Sequence, residues 1–380
     1  MPGIAGLKAH PLNNGNAELA QHIIDRVEFI EASYYWPRLV GRNGARDIHG
    51  QYRNSFVVRI HTNQGASGWG LSRPRAQNTT ELIDGKKLTE LIDPVNGILD
   101  ANLADFDIAL FDLVGNILRK PVYQLLGANG IRQFPIYSGM VYLDELDEDG
   151  TFQGWDRVLT NCEWDYNYGY RQLKAKIGRS GRWYPHAEGL EKDIEIVKLI
   201  HDQFQDRKMD ILVDANDSYS LDDTIAFLSG VKDVPIYWVE EPFYEELEKG
   251  RQLKQWMNLN GFSETLYADG EARPDHEVLG TMMEEGILDV HLVDIFGYGF
   301  SRWIHFNKNL MSRGILASPH AWGDRLKTNY TVQLAAAQGN IPTIEGVTCL
   351  SDDIDYGNYE LKDGLISVSD APGFGMKLLK

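Results

Sequence analysis

The sequence predicts an α/β fold: a parallel (β/α) barrel with an N-terminal α+β capping domain that the C-terminal tail completes. Three observations lead there. From residue 134 onward, short β-rich runs recur with helical stretches between them, at the roughly 25 to 40 residues that one strand-helix unit occupies. Eight such runs can be read, the number that closes into a barrel. Before residue 134 that period is absent, and strands and a helix are mixed. The predicted divisions are therefore 1–133 for the capping domain, 134–354 for the barrel and 355–380 for the tail. The tail has no ninth unit to join and is expected to fold back onto the capping domain.

In chain order, SFVVRIH (55–61) and the following NQGASGWG read as a strand, a turn and a second short strand. Residues 80–98 are acidic and amphipathic. The run ADFDIALFDLVGNILRK spaces Ile108, Leu110, Phe111, Leu113, Val114 and Leu118 as one face of a helix. The barrel strands are predicted at FPIYSGM (134–140), YRQLKAKI (170–177), MDILVDAN (209–216) and PIYWVEEP (235–242). TLYADGE (265–271), LDVHLVDIF (288–296), GILASPHA (314–321) and PTIEGV (342–347) follow. Between them, LEKDIEIVKLIHDQF and SLDDTIAFLSGV are amphipathic, and Ser220 before Leu221, Asp222 and Asp223 reads as an N-cap with an acidic first turn. No Gly-rich dinucleotide loop follows the first strand, which argues against an open doubly wound sheet.

Composition narrows the function. With 37 Lys+Arg against 55 Asp+Glu the net charge is −18, a field that repels phosphate backbones and anionic lipid. Neither nucleic acid nor membrane is an expected partner. No apolar run approaches the roughly 18 residues of a bilayer span, and the start MPGIAGLKAH lacks a secretory layout, so a cytoplasmic protein is expected. Cys162 and Cys349 are the only cysteines; they read as reduced packing residues rather than a disulfide or a zinc site.

In a parallel barrel, chemistry gathers at the carboxyl ends of the strands. Those ends carry Lys174 and Lys176, then Asp214 and Asn216, Glu240 and Glu241, Glu271, Asp294, His320 and Glu345. One or two such residues would be ordinary helix caps; seven consecutive strands ending so is hard to explain by capping. Asp214, Glu240 and Glu271 on successive strands would repel one another unless a cation sits between them, and hard oxygen donors suit Mg²⁺. Glu241, next to Glu240 in a strand, is expected to face the helices. Lys174 and Lys176, two apart, point into the same mouth and should depress each other's pKa, as a base near neutral pH requires. Alternatively they are counter-ions for the carboxylates. Asp294 and His320 end neighbouring strands, and a carboxylate on one imidazole nitrogen strengthens the other as a base.

This ordered set resembles the enolase superfamily, and within it the mandelate racemase subgroup. LKAKIG, LVDAND, WVEEP, ADGEA, VDIFGYG, SPHAWGD and PTIEG carry the resemblance, supported by ALFDLVGNILRKPVYQLLG before the barrel and GLISVSDAPGFGMKL after it. The resemblance implies Lys176 as one acid/base with Lys174 beside the substrate carboxylate. It implies Asp214, Glu240 and Glu271 as Mg²⁺ ligands, the His320–Asp294 dyad on the opposite face, and Glu345 donating a hydrogen bond to a carboxylate oxygen. It also implies a homo-oligomer assembled through the N-terminal module. Two positions depart from the pattern: Leu71 stands after the GxG where many relatives have an acid, and Gly299-Phe300 replaces a frequent Gly-Gly pair. The first concerns the loop over the mouth, the second a tighter pocket.

The substrate class follows from two loops. Residues 33–54 hold Arg38, Arg42, Arg46 and Arg53 against a single acid, Asp47, among aromatic residues; GRSGRWYPH after the second strand adds Arg179, Arg182, Trp183 and Tyr184. Such cationic, aromatic loops suit a small anion with many hydroxyls, although a solvated loop or a subunit contact would look the same. Asn216, Arg46, Arg38, Tyr137, Trp183 and Trp322 are the candidate substrate contacts. The expected function is Mg²⁺-dependent abstraction of the proton α to a carboxylate through an enediolate, with dehydration of an aldonate or aldarate to a 2-keto-3-deoxy acid. A racemase or epimerase of a 2-hydroxy acid uses the same two bases, and a catalytically idle ligand-binding relative is the reading of another class.

Overall fold

A computed structural model of the chain describes residues 13–271 and 273–380. All eight predicted barrel strands form, as Gln133–Val141, Gln172–Lys176, Asp210–Asp214, Ile236–Glu240, Leu266–Asp269, Val290–His291, Leu316–Ala317 and Ile344–Gly346. They pair in parallel from the seventh down to the first, and the eighth pairs with the first. Between the seventh and eighth strands, Ala317 N donates to Asn340 O at 3.0 Å and Ser318 Oγ to Thr343 O at 2.9 Å, which brings the ends of the ladder together. Alternation along each strand sorts the side chains: Tyr137, Leu212, Trp238, Ala268 and Val290 pack inside, whereas Ile211, Val213, Val239 and Tyr267 face the helices. Tyr137 and Trp238 meet edge to face at 5.2 Å and plug the floor beneath the mouth.

Helices follow the first seven strands, from Asp156–Tyr168 to Arg325–Gln338. Ser220 caps Leu221–Gly230 through a reciprocal box with Asp223, as its sequence predicts. No helix follows the eighth strand. In its place the tail segment Leu365–Ser367 pairs antiparallel with the start of the first barrel strand, a contact beyond the expected fold-back. Farther on, Phe374 N donates to Asp112 Oδ1 at 2.9 Å and Arg59 reaches Leu378 O at 3.4 Å, so the tail also touches the N-terminal sheet and helix.

That sheet consists of Ile24–Val40, Gly50–Thr62 and Ser67–Leu71, and it packs on the helix Asp107–Leu118. Gly68 permits the approach, since a Cβ there would lie 2.2 Å from Leu113 N. Residues 33–54, read as one loop, are mostly strand, and only 41–49 remain as a connection. The alternation was hidden because the buried positions of that strand within this stretch are Tyr34, Trp36 and Val40, two of them aromatic and set amid arginines and polar residues rather than in an aliphatic run. Residues 80–98 form short turns and the small pair Ile92–Asp93 with Gly97–Ile98. Cys162 and Cys349 are buried and unpaired. Among the described residues no helix is long and apolar enough to cross a membrane.

Candidate active site

The carboxyl ends of the strands open into a cavity of roughly 500 Å³, bordered by Lys176, Asn216, Glu241, Glu271, Asp294, His320 and Trp322 and roofed by Asn43, Ala45, Arg46 and His49 of the capping domain. Asp214, Glu240 and Glu271 converge, each presenting a carboxylate oxygen within 4.8 Å of the others. Two of these face the mouth by strand period, one step above Leu212 and Trp238. Glu271 arrives differently: its strand ends at Asp269, and Gly270 at φ +97° turns the chain back over the barrel.

Both lysines pair with this cluster. Lys174 Nζ is 2.5 Å from Glu240 Oε1 and 3.1 Å from both Asp214 Oδ2 and Glu345 Oε1, and Lys176 Nζ bonds Asp214 Oδ2. Burial alone would pull Lys174 down, but Glu240 and Glu345 outweigh it and hold the ammonium well above the usual lysine value. The mutual depression expected of the pair is therefore absent for Lys174 in the protein's own charge set, because three carboxylates lie within 3.1 Å of its ammonium. Asp214, which burial would raise, is held below the usual range by Lys176 and Lys174. Glu240 is instead pushed well up, by burial first, with Lys174 only partly offsetting it and Asp214 adding to it.

Across the mouth, His320 Nδ1 is 2.8 Å from Asp294 Oδ2, and Nε2 is 3.1 Å from Glu271 Oε1 and 3.7 Å from Glu345 Oε2. Asp294 is itself oriented, since its Oδ1 accepts from Phe296 N at 2.9 Å and Gly297 N at 2.5 Å. Burial opposes the charge on both partners. For Asp294, Lys327 at 2.7 Å and His320 win, so its pKa falls; for His320, Glu271, Glu345 and Asp294 win, and its pKa rises. Glu345 Oε2 accepts from Ala321 N at 2.8 Å, and burial of this carboxyl is outweighed by Lys174 and His320, which lower it.

Among the predicted substrate contacts, Asn216, Arg46 and Trp322 border the cavity. Three others do not. Arg38 points away, into Asp165 at 2.8 and 2.7 Å, because a buried carboxylate far along the chain claims the guanidinium. Tyr137 lies in the barrel floor, 1% exposed, with Lys174 Nζ 5.5 Å from its ring centre. Trp183 stacks on Arg42 and Arg182 outside the cavity and donates its Nε1 to Asn43 O at 2.8 Å, which fastens the roof instead of lining it. Glu241 is a further correction. The strand stops at Glu240, and a left-handed φ of +40° at Glu241 breaks the alternation, so its carboxylate lines the mouth and its Oε1 accepts from Glu271 N at 3.0 Å. Burial and then Glu271 push this carboxyl up. The two departures from the family pattern lie elsewhere: Leu71 is buried, with its N–H directed to Tyr330 Oη, and Phe300 packs between Phe111 and Phe374. Neither borders the cavity.

Lys327 was not foreseen, and nothing in its helical neighbourhood marks it. Tyr142, Tyr244 and Arg273 border the cavity just beyond the ends of the first, fourth and fifth strands, so reading a few residues farther along each strand would have found them.

A barrel whose mouth gathers three carboxylates, two lysines and a histidine-carboxylate pair under a capping domain defines the enolase superfamily, and the chain belongs to it: the enolase C-terminal domain-like family matches residues 159–380. Its similar proteins are metabolic enzymes of that superfamily. An arabinonate dehydratase of Saccharolobus solfataricus is 25% identical over 73% of this chain and 70% of its own length. A hydrophobic dipeptide epimerase of Enterococcus faecalis is 24% identical over 76% of this chain and 80% of its own. Among solved structures, a mutant galacturonate dehydratase from Geobacillus sp. complexed with Mg superposes with a TM-score of 0.88 at 28% identity, covering 95% of this chain and 94% of that one. The chain is thus similar to dehydratases and epimerases that share this fold.

Proposed function

We propose that the protein is a Mg²⁺-dependent dehydratase of a sugar acid, working by abstraction of the proton α to the carboxylate. The observation that carries this reading is one cavity bordered by Lys176, Glu271 and His320, in which Glu271 forms a cation-ready carboxylate cluster with the buried Asp214 and Glu240, Lys176 bonding Asp214 and His320 lying 3.1 Å from Glu271. Asp214, Glu240 and Glu271 fit a hard divalent ion: all three offer oxygen, and Glu271 Oε2 is buried without a hydrogen-bond partner among the described residues. Bound there, Mg²⁺ would supply positive charge to the substrate carboxylate as negative charge builds on it.

The chain's own groups do the rest. Lys174 holds a carboxylate oxygen of the substrate, and Lys176 accepts the α-proton, leaving the electron pair of the broken C–H bond in an enediolate. That pair then expels the β-hydroxyl, to which His320 Nε2 delivers a proton so that it leaves as water; the enol product tautomerises to the 2-keto-3-deoxy acid. Asp294 keeps the imidazole aimed, and the capping loop limits water. The similarity to arabinonate and galacturonate dehydratases supports the choice of a hydroxylated acid.

Incubation with Mg²⁺ and pooled aldonic, aldaric and uronic acids in deuterated water, read by mass spectrometry and proton NMR, tests this. Loss of one water with uptake of deuterium is expected, and Lys176→Ala should slow it by at least about 10²-fold. Deuterium exchange beside the carboxylate without loss of water would instead assign an epimerase. Turnover that survives Lys176→Ala would sink the mechanism.

A further inference from the structure

The proposed chemistry uses the lysines, His320 and the carboxylates, but leaves one wall of the cavity without a task. That wall is made by His49, from the capping loop, and Tyr142, just beyond the first barrel strand. Their rings meet edge to face at 4.9 Å, and Trp322 borders both, 5.0 Å from His49 and 5.7 Å from Tyr142.

Each ring offers one polar atom, and their characters differ. His49 Nδ1 lies 2.7 Å from Gly41 O, and since a carbonyl only accepts, Nδ1 carries the hydrogen. The ring stays neutral near pH 7: burial foremost, with the charges of Lys176, Arg46 and Arg53, lowers it to about 4 against the opposing bond to Gly41. Nε2 is then a lone-pair acceptor, and it bonds no described residue. Tyr142 is the reverse. Burial holds its phenol protonated although Lys174 opposes this, so its Oη has a proton to donate, and it too has no hydrogen-bond partner among the described residues.

An acceptor beside a donor on one cavity wall matches an alcohol, which both gives and takes a hydrogen bond. A carboxylate has no proton for Nε2 and, on covering that acceptor, would set it against another lone pair. We propose that His49 and Tyr142 form a hydroxyl-recognition pair that makes the enzyme selective for acids bearing a free hydroxyl, rather than a second carboxylate, on the carbon chain beyond the reacting centre. This rests on the reading of the cavity as a sugar-acid site. Lys176 Nζ lies 5.6 Å from the centre of the Tyr142 ring, so the pair addresses carbons close to the one that loses its proton.

The pair is set in place before substrate arrives. Gly41 N donates to Asp144 Oδ1 at 3.0 Å, and Trp183 fastens Asn43 from outside. Arg46, exposed at the rim of the same loop, is the group that would favour a second carboxylate instead.

Two measurements on the Mg²⁺-loaded full chain decide the matter. Long-range proton-nitrogen NMR of ¹⁵N-histidine protein, with the signal assigned by its loss in His49→Phe, should show His49 protonated on Nδ1 alone from about pH 5.5 to about pH 8. A hydrogen on Nε2 overturns the proposal by itself. Calorimetric binding is then compared for D-galactonate, galactarate and 2-hydroxyhexanoate, which share chain length. His49→Phe and Tyr142→Phe should each weaken D-galactonate by about 10-fold or more while changing 2-hydroxyhexanoate less than about 2-fold. Equal losses for both acids would reduce the pair to scaffolding, and tighter binding of galactarate than D-galactonate would assign the wall to Arg46; either overturns the proposal. Failure of all three acids to bind overturns the sugar-acid reading itself, a result distinct from an Nε2–H tautomer.

Discussion

Arg38 and Arg46 sit eight positions apart in one stretch of sequence and do opposite work. Arg46 is exposed at the cavity rim, whereas Arg38 is spent on Asp165, whose side chain is fully buried and also accepts from Ser138 Oγ at 2.7 Å. Charge is the same in both; what differs is whether the fold brings up a carboxylate. Arg38→Ala would leave Asp165 buried without its countercharge, and a loss of about 3 to 5 kcal/mol in urea unfolding is expected. Its KM for any substrate found should stay near the wild-type value. A raised KM with unchanged stability would return Arg38 to the substrate. Glu240 and Glu241 show the converse: neighbours in sequence whose carboxylates both end at the mouth because the strand stops at Glu240 and Glu241 takes a left-handed φ.

At the scale of elements, the cavity depends on how the capping loop 41–49 seats on the barrel. Gly44 rests on the loop after the third strand: a Cβ there would fall 2.2 Å from Ser218 Oγ and 2.9 Å from Ala215 O. Gly44→Ala should lift the loop with His49 and Arg46 and lower kcat/KM on the order of 10²-fold, with a thermal midpoint close to wild type. An unchanged kcat/KM would show that the loop is not part of the site. The helix Asp107–Leu118 plays the corresponding structural part. Asp112 accepts from Trp69 N at 3.0 Å and Phe374 N at 2.9 Å, tying sheet, helix and tail together. Burial pushes its carboxyl up to about 7, only partly offset by those bonds. The folded protein therefore keeps a proton that the unfolded chain releases at about pH 4, so this group makes stability fall as pH rises from about 4 to about 7. Urea unfolding across that range should show the slope, and Asp112→Asn should remove it; an unaltered profile would mean that Asp112 is ionised throughout.

For the whole molecule, the carboxylate cluster joins three strands that are separate in sequence, and its mutual repulsion is a cost the fold carries. Mg²⁺ bound there would stabilise the folded state by mass action, about 2.7 kcal/mol at a concentration 100 times the Kd. The thermal midpoint should rise with Mg²⁺, return on chelation, and lose that response in Asp214→Asn and Glu240→Gln. A response that persists in both variants would place the ion elsewhere.

What could be read from the chain alone was what repeats. The strand-helix period and the alternation of Leu212 with Asp214 and of Trp238 with Glu240 are local consequences of backbone geometry, so the eight strands, the Ser220 cap and the charged strand ends were legible. Alternation also told which residues point into the mouth, for as long as each strand lasted. Beyond a strand's end that rule lapses, and only the tertiary structure decided where the side chains went: Glu241 inward at a left-handed φ, Glu271 inward after Gly270. It also decided which charges were already satisfied, since the partners of Arg38, Arg179 and Asp294 come from distant elements. A lone residue type reports its chemistry. Whether that chemistry is free to meet a substrate depends on neighbours that the linear order does not contain.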